Sequence, residues 1–291
     1  MLHRNCKNGQ KLDVAGLNQI TVLIDRSETE LSEVGLNEWN PKCAGPLHRH
    51  NDKDQVFFIV SGEGIIKLGE SEYEARPGCF AYVPAGIVHQ SITTSKEPLS
   101  YILFNTFTTT SKEGHLTFAE HIEKVKLIRK KQAETRNVLV DEEPELMDKK
   151  MSKFVLDIDS SKCYEFGSNS TLLLLDRNES NGCECTVVKW PAGNRGAVVA
   201  HPEAEQALFV LKGRGMITIG SETEEVQAED IVFVPRNMPH TTEASANQEL
   251  VYLCYNSIVD KGTYESFDQM YNTVAQHRIA RWKSKSGEIG E

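Results

Sequence analysis

The sequence predicts a mainly β protein built from two copies of one antiparallel domain, each copy followed by an α-helix. Three observations carry this. First, QVFFIVSGEGIIKLG from Gln55 is echoed by QALFVLKGRGMITIG from Gln206, an offset of 151 residues. The same offset carries His50 to His201, Gly62 to Gly213, Pro84 to Pro235, His89 to His240, Leu99 to Leu250, Tyr101 to Tyr252 and Asn105 to Asn256 without a gap, which marks an internal duplication. Second, each copy is a succession of short β-prone runs separated by turn residues. Third, no segment of helical period lies between those runs, which disfavours parallel β/α units and favours an antiparallel meander.

The runs in the first copy, in order, are VFFIV, a Gly62-Glu63-Gly64 turn, IIKL, CFAYV and SYILF. A helix then follows. Thr117-Phe118-Ala119-Glu120 has the form of a capping box, and Phe118, Ile122 and Val125 recur at helical spacing. Its counterpart starts at Ser266-Phe267-Asp268-Gln269 and continues through Tyr271 and Val274. The expected organisation is an N-terminal domain over 1–135, a charged linker over 136–152 and a C-terminal domain over 153–291. The final KSKSGEIGE reads as a frayed tail.

A chain of 291 residues, 39% hydrophobic and 25% charged, can build one large or two ordinary domains. Its 42 acidic residues against 32 basic ones, with no basic block, argue against nucleic acid as a partner. No apolar run approaches the ~18 residues needed to span a membrane. MLHRNCKNGQKLDV lacks the apolar stretch of a secretory signal, so a soluble, cytoplasmic protein is expected. Seven scattered cysteines suit reduced thiols in a reducing compartment. The one close pair, Cys183 and Cys185, lies in ECTVVKW, which alternates like a strand and reads as two ordinary thiols.

PLHRHNDKDQ carries the first chemical signal. Residues i and i+2 of a strand share a face, so His48 and His50 are expected to point into one space. Two imidazoles there can hold a metal if Gln55 and His89 reach the same place. His89 follows GCFAYVPAGIVH, in which Pro84 and Gly86 turn the chain. Buried histidines serving only as interior polar groups would be costly without partners, which favours a metal. Arg49, between the two histidines, alternates away and reads as a solvated or interface residue. Tyr82 and Tyr101 read as core, and Cys43 and Cys79 as packing residues.

This arrangement resembles the cupin family. The family's first motif (HxH, four residues, Glu, six residues, Gly) is met by His48, His50, position 55 and Gly62. The second (Gly, five residues, PxG, two residues, His) is met by Gly78, Pro84, Gly86 and His89. The resemblance covers roughly 40–106 and, in degraded form, 190–257. It implies a bicupin of two small antiparallel β-barrels with one divalent transition metal ion, iron, manganese, nickel or zinc, on His48, His50, Gln55 and His89. One departure matters, because the family's usual glutamate is Gln55 here and Gln206 in the second copy. An all-neutral donor set leaves the ion its full charge, making it a stronger Lewis acid and a better binder of anionic substrates.

In the second copy, VAHPEAEQALFVLKGRG, Val199 stands where the first histidine belongs and Asn237 replaces the glycine of PxG. His201, Gln206 and His240 remain as a weak second site, with Glu203 or Glu205 as loop candidates to complete it. The expectation is a C-terminal domain without tightly bound metal. The resemblance implies a metal-dependent enzyme acting on a small oxygenated substrate: a dioxygenase, or a decarboxylase, lyase or isomerase. The alternative is a non-catalytic bicupin that binds metal, sugar or another small molecule. No catalytic base and no organic cofactor is assigned. Edge strands in need of protection and the amphipathic helices point to a homodimer.

Overall fold

The structure, a computed structural model, describes residues 1–110, 112, 116–135, 150–259 and 264–286. In chain order the first half forms β1 (Leu2–Asn5), β2 (Gln10–Val14), β3 (Asn18–Ile24), β4 (Ser32–Trp39), β5 (Lys53–Ser61) and β6 (Gly64–Leu68). It continues with β7 (Ser71–Ala75), β8 (Phe80–Val83), β9 (His89–Thr93), β10 (Leu99–Phe107) and α1 (Phe118–Thr135). The second half forms β11 (Lys153–Val155), β12 (Cys163–Glu165), β13 (Ser170–Leu175), β14 (Cys183–Trp190) and β15 (Ala204–Ile219). After it come β16 (Glu222–Gln227), β17 (Asp230–Val234), β18 (His240–Ala244), β19 (Leu250–Ile258) and α2 (Phe267–Ser286).

Two units result. One comprises Asn8–Ile158 and Glu179–Gly182; the other comprises Met1–Lys7, Asp159–Asn178 and Cys183–Glu291. The N-terminal unit has a seven-stranded sheet in the order β11-β8-β5-β10-β4-β3-β2 and a three-stranded sheet β7-β6-β9. Both contribute to one core, in which Trp39, Phe57, Ile59 and Leu99 meet Ile66 and Leu68. The C-terminal unit repeats the plan as β1-β17-β15-β19-β14-β13-β12, with β16 and β18 also paired to β15. Its core centres on Val210, Ile217, Val226, Val232 and Leu250.

The runs expected to be strands are strands, but they do not form a meander. β5 lies between β8 and β10, whereas β6 lies between β7 and β9. The Gly62-Glu63-Gly64 segment is therefore a crossing from one sheet to the other and not a hairpin. Gly62 adopts φ 73°, and a side chain there would stand 2.1 Å from the Pro98 carbonyl oxygen, so only glycine permits the passage. In the second copy β15 runs through the same point as one 16-residue strand.

Strand pairing also divides the chain differently from the expected boundaries of 1–135 and 153–291. β1 pairs with β17 and β11 with β8, so each copy's first strand completes the edge of the other copy's sheet. Of the expected linker, 136–149 lie outside the described residues, as do 287–291 of the expected tail; the start of that tail ends α2.

Both helix starts are held as their sequences require. The Glu120 N–H donates to Thr117 Oγ1 (3.2 Å) while Glu120 Oε2 accepts from the Thr117 N–H (3.3 Å). In α2 the Gln269 N–H donates to Ser266 Oγ (3.2 Å), but Gln269 Oε1 reaches the Glu265 N–H (2.6 Å). Asp25 and its counterpart Asp176 tie the helices to their sheets by accepting from the Phe118 and Phe267 N–H groups, each at 3.0 Å. Phe118 and Ile122 pack on Val14, Ile20 and Val22, and Phe267 packs against Tyr164 and Phe166. All seven cysteines are free, and burial pushes the Cys185 thiol well up. Among the described residues no helix is long and apolar enough to cross a membrane.

Candidate metal centre

His48 and His50 precede β5 in an extended segment that is not a regular strand. A single antiparallel bridge joins His48 to His89 at the start of β9, with N–H···O contacts of 3.1 and 2.7 Å. The His50 carbonyl accepts from the Gly86 N–H at 2.7 Å, at the point where Gly86, with φ 82°, turns the chain. These backbone bonds bring the rings together. Centroids lie 4.3 Å (His48–His89), 5.0 Å (His48–His50) and 5.6 Å (His50–His89) apart, and one nitrogen from each ring lies within 4.8 Å of the others.

The tautomers follow from the partners. His48 Nδ1 lies 3.0 Å from the Pro46 carbonyl and His89 Nδ1 3.0 Å from the Ile87 carbonyl. A carbonyl can only accept, so Nδ1 carries the proton and Nε2 keeps its lone pair. Burial holds His48 and His50 well below the ordinary imidazole range and lowers His89 to about 4. All three are neutral at neutral pH, the state a metal requires.

Gln55 lies on β5, and its orientation is imposed from a distance. Glu33 on β4, directly opposite Asn105 on β10, accepts from Arg26 Nε through Oε2 (2.7 Å) and from Asn105 Nδ2 through Oε1 (2.6 Å). Because a carboxylate only accepts, Asn105 must offer its amide nitrogen to Glu33 and its Oδ1 to the other side. There it receives Gln55 Nε2 at 2.9 Å, again from the residue directly opposite. Gln55 Oε1 is left buried, without a protein partner. It belongs to a cavity of about 160 Å³ that His48, His50 and His89 also line. Three neutral imidazoles and an unmet neutral oxygen are a donor set that suits a divalent transition metal ion.

Several residues of this cavity were not expected from the sequence. Lys53, only 1% exposed, and Arg129 on α1 bring positive charge to its wall. Arg129 donates to Asn18 Oδ1 (2.8 Å), lies 5.4 Å from the Trp39 ring, and is lowered by burial to about 10. Arg49, read from alternation as a solvated or interface residue pointing away from the site, instead lines the cavity, with a buried Nε. The histidine segment is not a continuous strand, being joined to β9 only by isolated bridges at Ala44 and His48, so strict alternation does not apply. Tyr101 is core and cavity wall together: its hydroxyl gathers Asn37 Nδ2 (3.0 Å), Trp39 Nε1 (2.8 Å) and Ser91 Oγ (3.1 Å). The Tyr82 hydroxyl donates to Asp54 Oδ2 at 2.7 Å and is not part of the cavity wall.

The second copy keeps the frame and loses part of the triad. Val199 bridges His240 as His48 bridges His89, with N–H···O contacts of 2.9 and 2.8 Å. Asn237, at φ 62°, retains the left-handed turn of Gly86 and donates its N–H to the His201 carbonyl (3.0 Å). His201 and His240 have ring centroids 5.4 Å apart, and Glu203 Oε1 stands 3.8 Å from His201 Nδ1. Among the described residues the only histidine, cysteine and carboxylate group close enough to hold a metal is His48, His50 and His89.

The family model described as a cupin domain matches residues 35–105 and again 186–256, the two segments related by the repeat. The chain belongs to the cupin superfamily. It is a bicupin, similar in fold to the oxalate decarboxylase of Bacillus subtilis, with a TM-score of 0.63 and 14% identity over 89% of this chain and 76% of that one. It is similar to the oxalate decarboxylase of Lactobacillus farciminis, solved as a formate complex, with a TM-score of 0.64 and 13% identity over 94% and 90%. It also resembles a putative glyoxylate-induced protein of Pseudomonas aeruginosa, with a TM-score of 0.62 and 16% identity over 85% and 82%. Among curated proteins, an uncharacterised protein of Methanocaldococcus jannaschii is 33% identical over 64 residues; the match spans 22% of this chain and about half of that protein's length.

Proposed function

We propose that this bicupin is a metal-dependent enzyme that acts on a small, anionic, oxygenated organic substrate at His48, His50, Gln55 and His89. The observation that carries the reading is the convergence of three neutral imidazoles on a cavity in which the Gln55 carbonyl oxygen has no protein partner. When bound there, a divalent ion supplies Lewis acidity toward a carbonyl or carboxylate oxygen. The chain's own residues account for the rest. Nδ1 contacts to Pro46 and Ile87 fix two imidazoles with Nε2 available, and Gln55 adds an oxygen without adding charge. Arg26 pairs with Glu33, which offsets the charge of the carboxylate in the cavity wall, while Lys53 and Arg129 favour an anion.

Among the reactions open to such a site, decarboxylase or lyase chemistry has the most support. The solved neighbours include two oxalate decarboxylases, and the Bacillus subtilis enzyme is described with Mn(II) centres. The test is elemental analysis of protein purified without added metal, then turnover of the loaded protein on a series of small carboxylic and 2-oxo acids, following carbon dioxide release and dioxygen uptake. About one ion per chain is expected, lost in His50→Ala, with carbon dioxide release on at least one acid. Two tightly bound ions per chain would refute the single-site reading. Loaded protein without turnover on any acid would leave the non-catalytic binding reading as the better one.

A further inference from the structure

The C-terminal domain repeats the orientation device of the metal centre in a cavity where the metal trio is incomplete. Arg177 Nε and Nη2 donate to Glu184 (2.7 and 3.2 Å), Asn256 Nδ2 donates to Glu184 Oε1 (2.9 Å), and Gln206 Nε2 donates to Asn256 Oδ1 (2.9 Å). All four residues are the 151-residue counterparts of Arg26, Glu33, Asn105 and Gln55. The carboxylate again dictates the direction of every amide, so Gln206 must present Oε1 away from Asn256. Gln206 is 6% exposed and lines the cavity, and its Oε1 is buried without a protein partner. In the N-terminal domain the matching oxygen accompanies three imidazoles. Here Val199 stands in place of one of them, which leaves a buried acceptor that a hydrogen-bond donor can meet.

Two further features describe that ligand. The cavity measures about 310 Å³ against about 160 Å³ in the N-terminal domain, and its walls include Val188, Trp190 and Leu208. Arg278 on α2 borders it; this guanidinium lies 5.3 Å from the Phe166 ring and makes no ion pair among the described residues. Glu203, a further carboxylate of the same wall, stands beside His201 at 3.8 Å and is felt electrostatically by both Arg177 and Arg278, without an ion pair to either among the described residues. We propose that this cavity is a second, metal-independent binding site for a small hydroxylated carboxylic acid, its carboxylate on Arg278 and a hydroxyl donating to Gln206 Oε1.

The test uses the full chain freed of metal with a chelator and titrated calorimetrically with D-glycerate and L-malate, with propionate and succinate as matched acids lacking the hydroxyl. One site per chain is expected for a hydroxy acid, with its matched acid about tenfold weaker. Arg278→Gln, on a partly buried helix position, and Gln206→Leu should each weaken binding by about tenfold or more. His50→Ala, which disrupts the metal trio, should leave it unchanged. Because Gln206 is interior, its variant is read only beside an unchanged unfolding midpoint, and Arg278→Gln carries the test otherwise. Three results overturn the proposal: no binding of any probe up to about 10 mM, equal binding of hydroxylated and matched acids, which indicates a merely water-filled cavity or a nonspecific anion site, or loss of binding in His50→Ala. The metal-content measurement on His50→Ala bears on the N-terminal site alone, so the two readings fail separately.

Discussion

The glutamine at position 55 is tied to residues more than twenty positions away in sequence. Asn105 can offer an acceptor to Gln55 only because Glu33 takes its donor, and a glutamate at 55 would set carboxylate oxygen against Asn105 Oδ1. Gln55→Glu is therefore expected to destabilise the metal-free protein by ~1–3 kcal/mol, the cost of a buried polar contact turned repulsive. Adding Glu33→Gln reverses the polarity of the whole relay and should recover part of that loss. Urea unfolding of the two single variants and the double variant measures the coupling, and strict additivity would show that the relay does not set the amide. The histidines make a second residue-level prediction. Burial places His89 at about 4 and lowers His48 and His50 well below the ordinary 6.5, so between these values the unfolded chain binds protons that the folded chain refuses. Metal-free stability should fall as pH drops from about 6.5 toward 5, by up to ~1.4 kcal/mol per pH unit for each imidazole. Unfolding midpoints that stay level between pH 7 and 5 would contradict the buried neutral triad. His48, His50 and His89 were legible in the sequence because their spacing is local. Arg26 and Glu33 were not, because their role crosses three strands, although extending the 151-residue register to Arg177 and Glu184 marks them.

At the level of elements, VFFIV, IIKL, CFAYV and SYILF declare themselves as strands by composition, and the capping boxes mark both helices. Pairing order was not readable, since nothing local in VFFIV says that its neighbours are β8 and β10 and not the run that follows it. The asparagine at 237 was readable as a departure, but its conformation was not: φ 62° shows that the turn survived the loss of glycine. Besides their apolar contacts, each helix start is tied to its sheet through a carboxylate, Asp25 or Asp176. Asp25 accepts from Ser27 and caps a short 3-10 turn while also receiving the Phe118 N–H of α1. Asp25→Ala is expected to cost ~1–2 kcal/mol, the scale of a lost cap, and to loosen α1, which carries Arg129 to the cavity wall. Thermal unfolding together with amide exchange along 118–129 measures this; exchange equal to that of the parent protein would show that the apolar contacts of Phe118 and Ile122 hold the helix unaided.

The duplication was the most legible feature of the whole molecule, because one offset recurs in strands, glycines, histidines and the relay alike. The affiliation of the chain's first residues was not, since β1 is four residues long, LHRN, and half-buried throughout. Its partner register runs from Leu2↔Phe233 to Asn5↔Asp230. On a translating ribosome those first residues emerge long before anything exists for them to join. At about 5–20 residues per second, the interval before residue 233 appears is on the order of ten seconds to most of a minute. β11 waits for far less, because β8 is already made when Lys153 leaves the tunnel. The N-terminal unit can therefore finish during synthesis while the C-terminal unit cannot close its sheet until late, and the strand kept waiting is a polar one, with histidine, arginine and asparagine at three of its four positions. An apolar segment held open for that interval would be a hazard in a crowded cell; this one exposes a single apolar side chain, Leu2, while its neighbour is made.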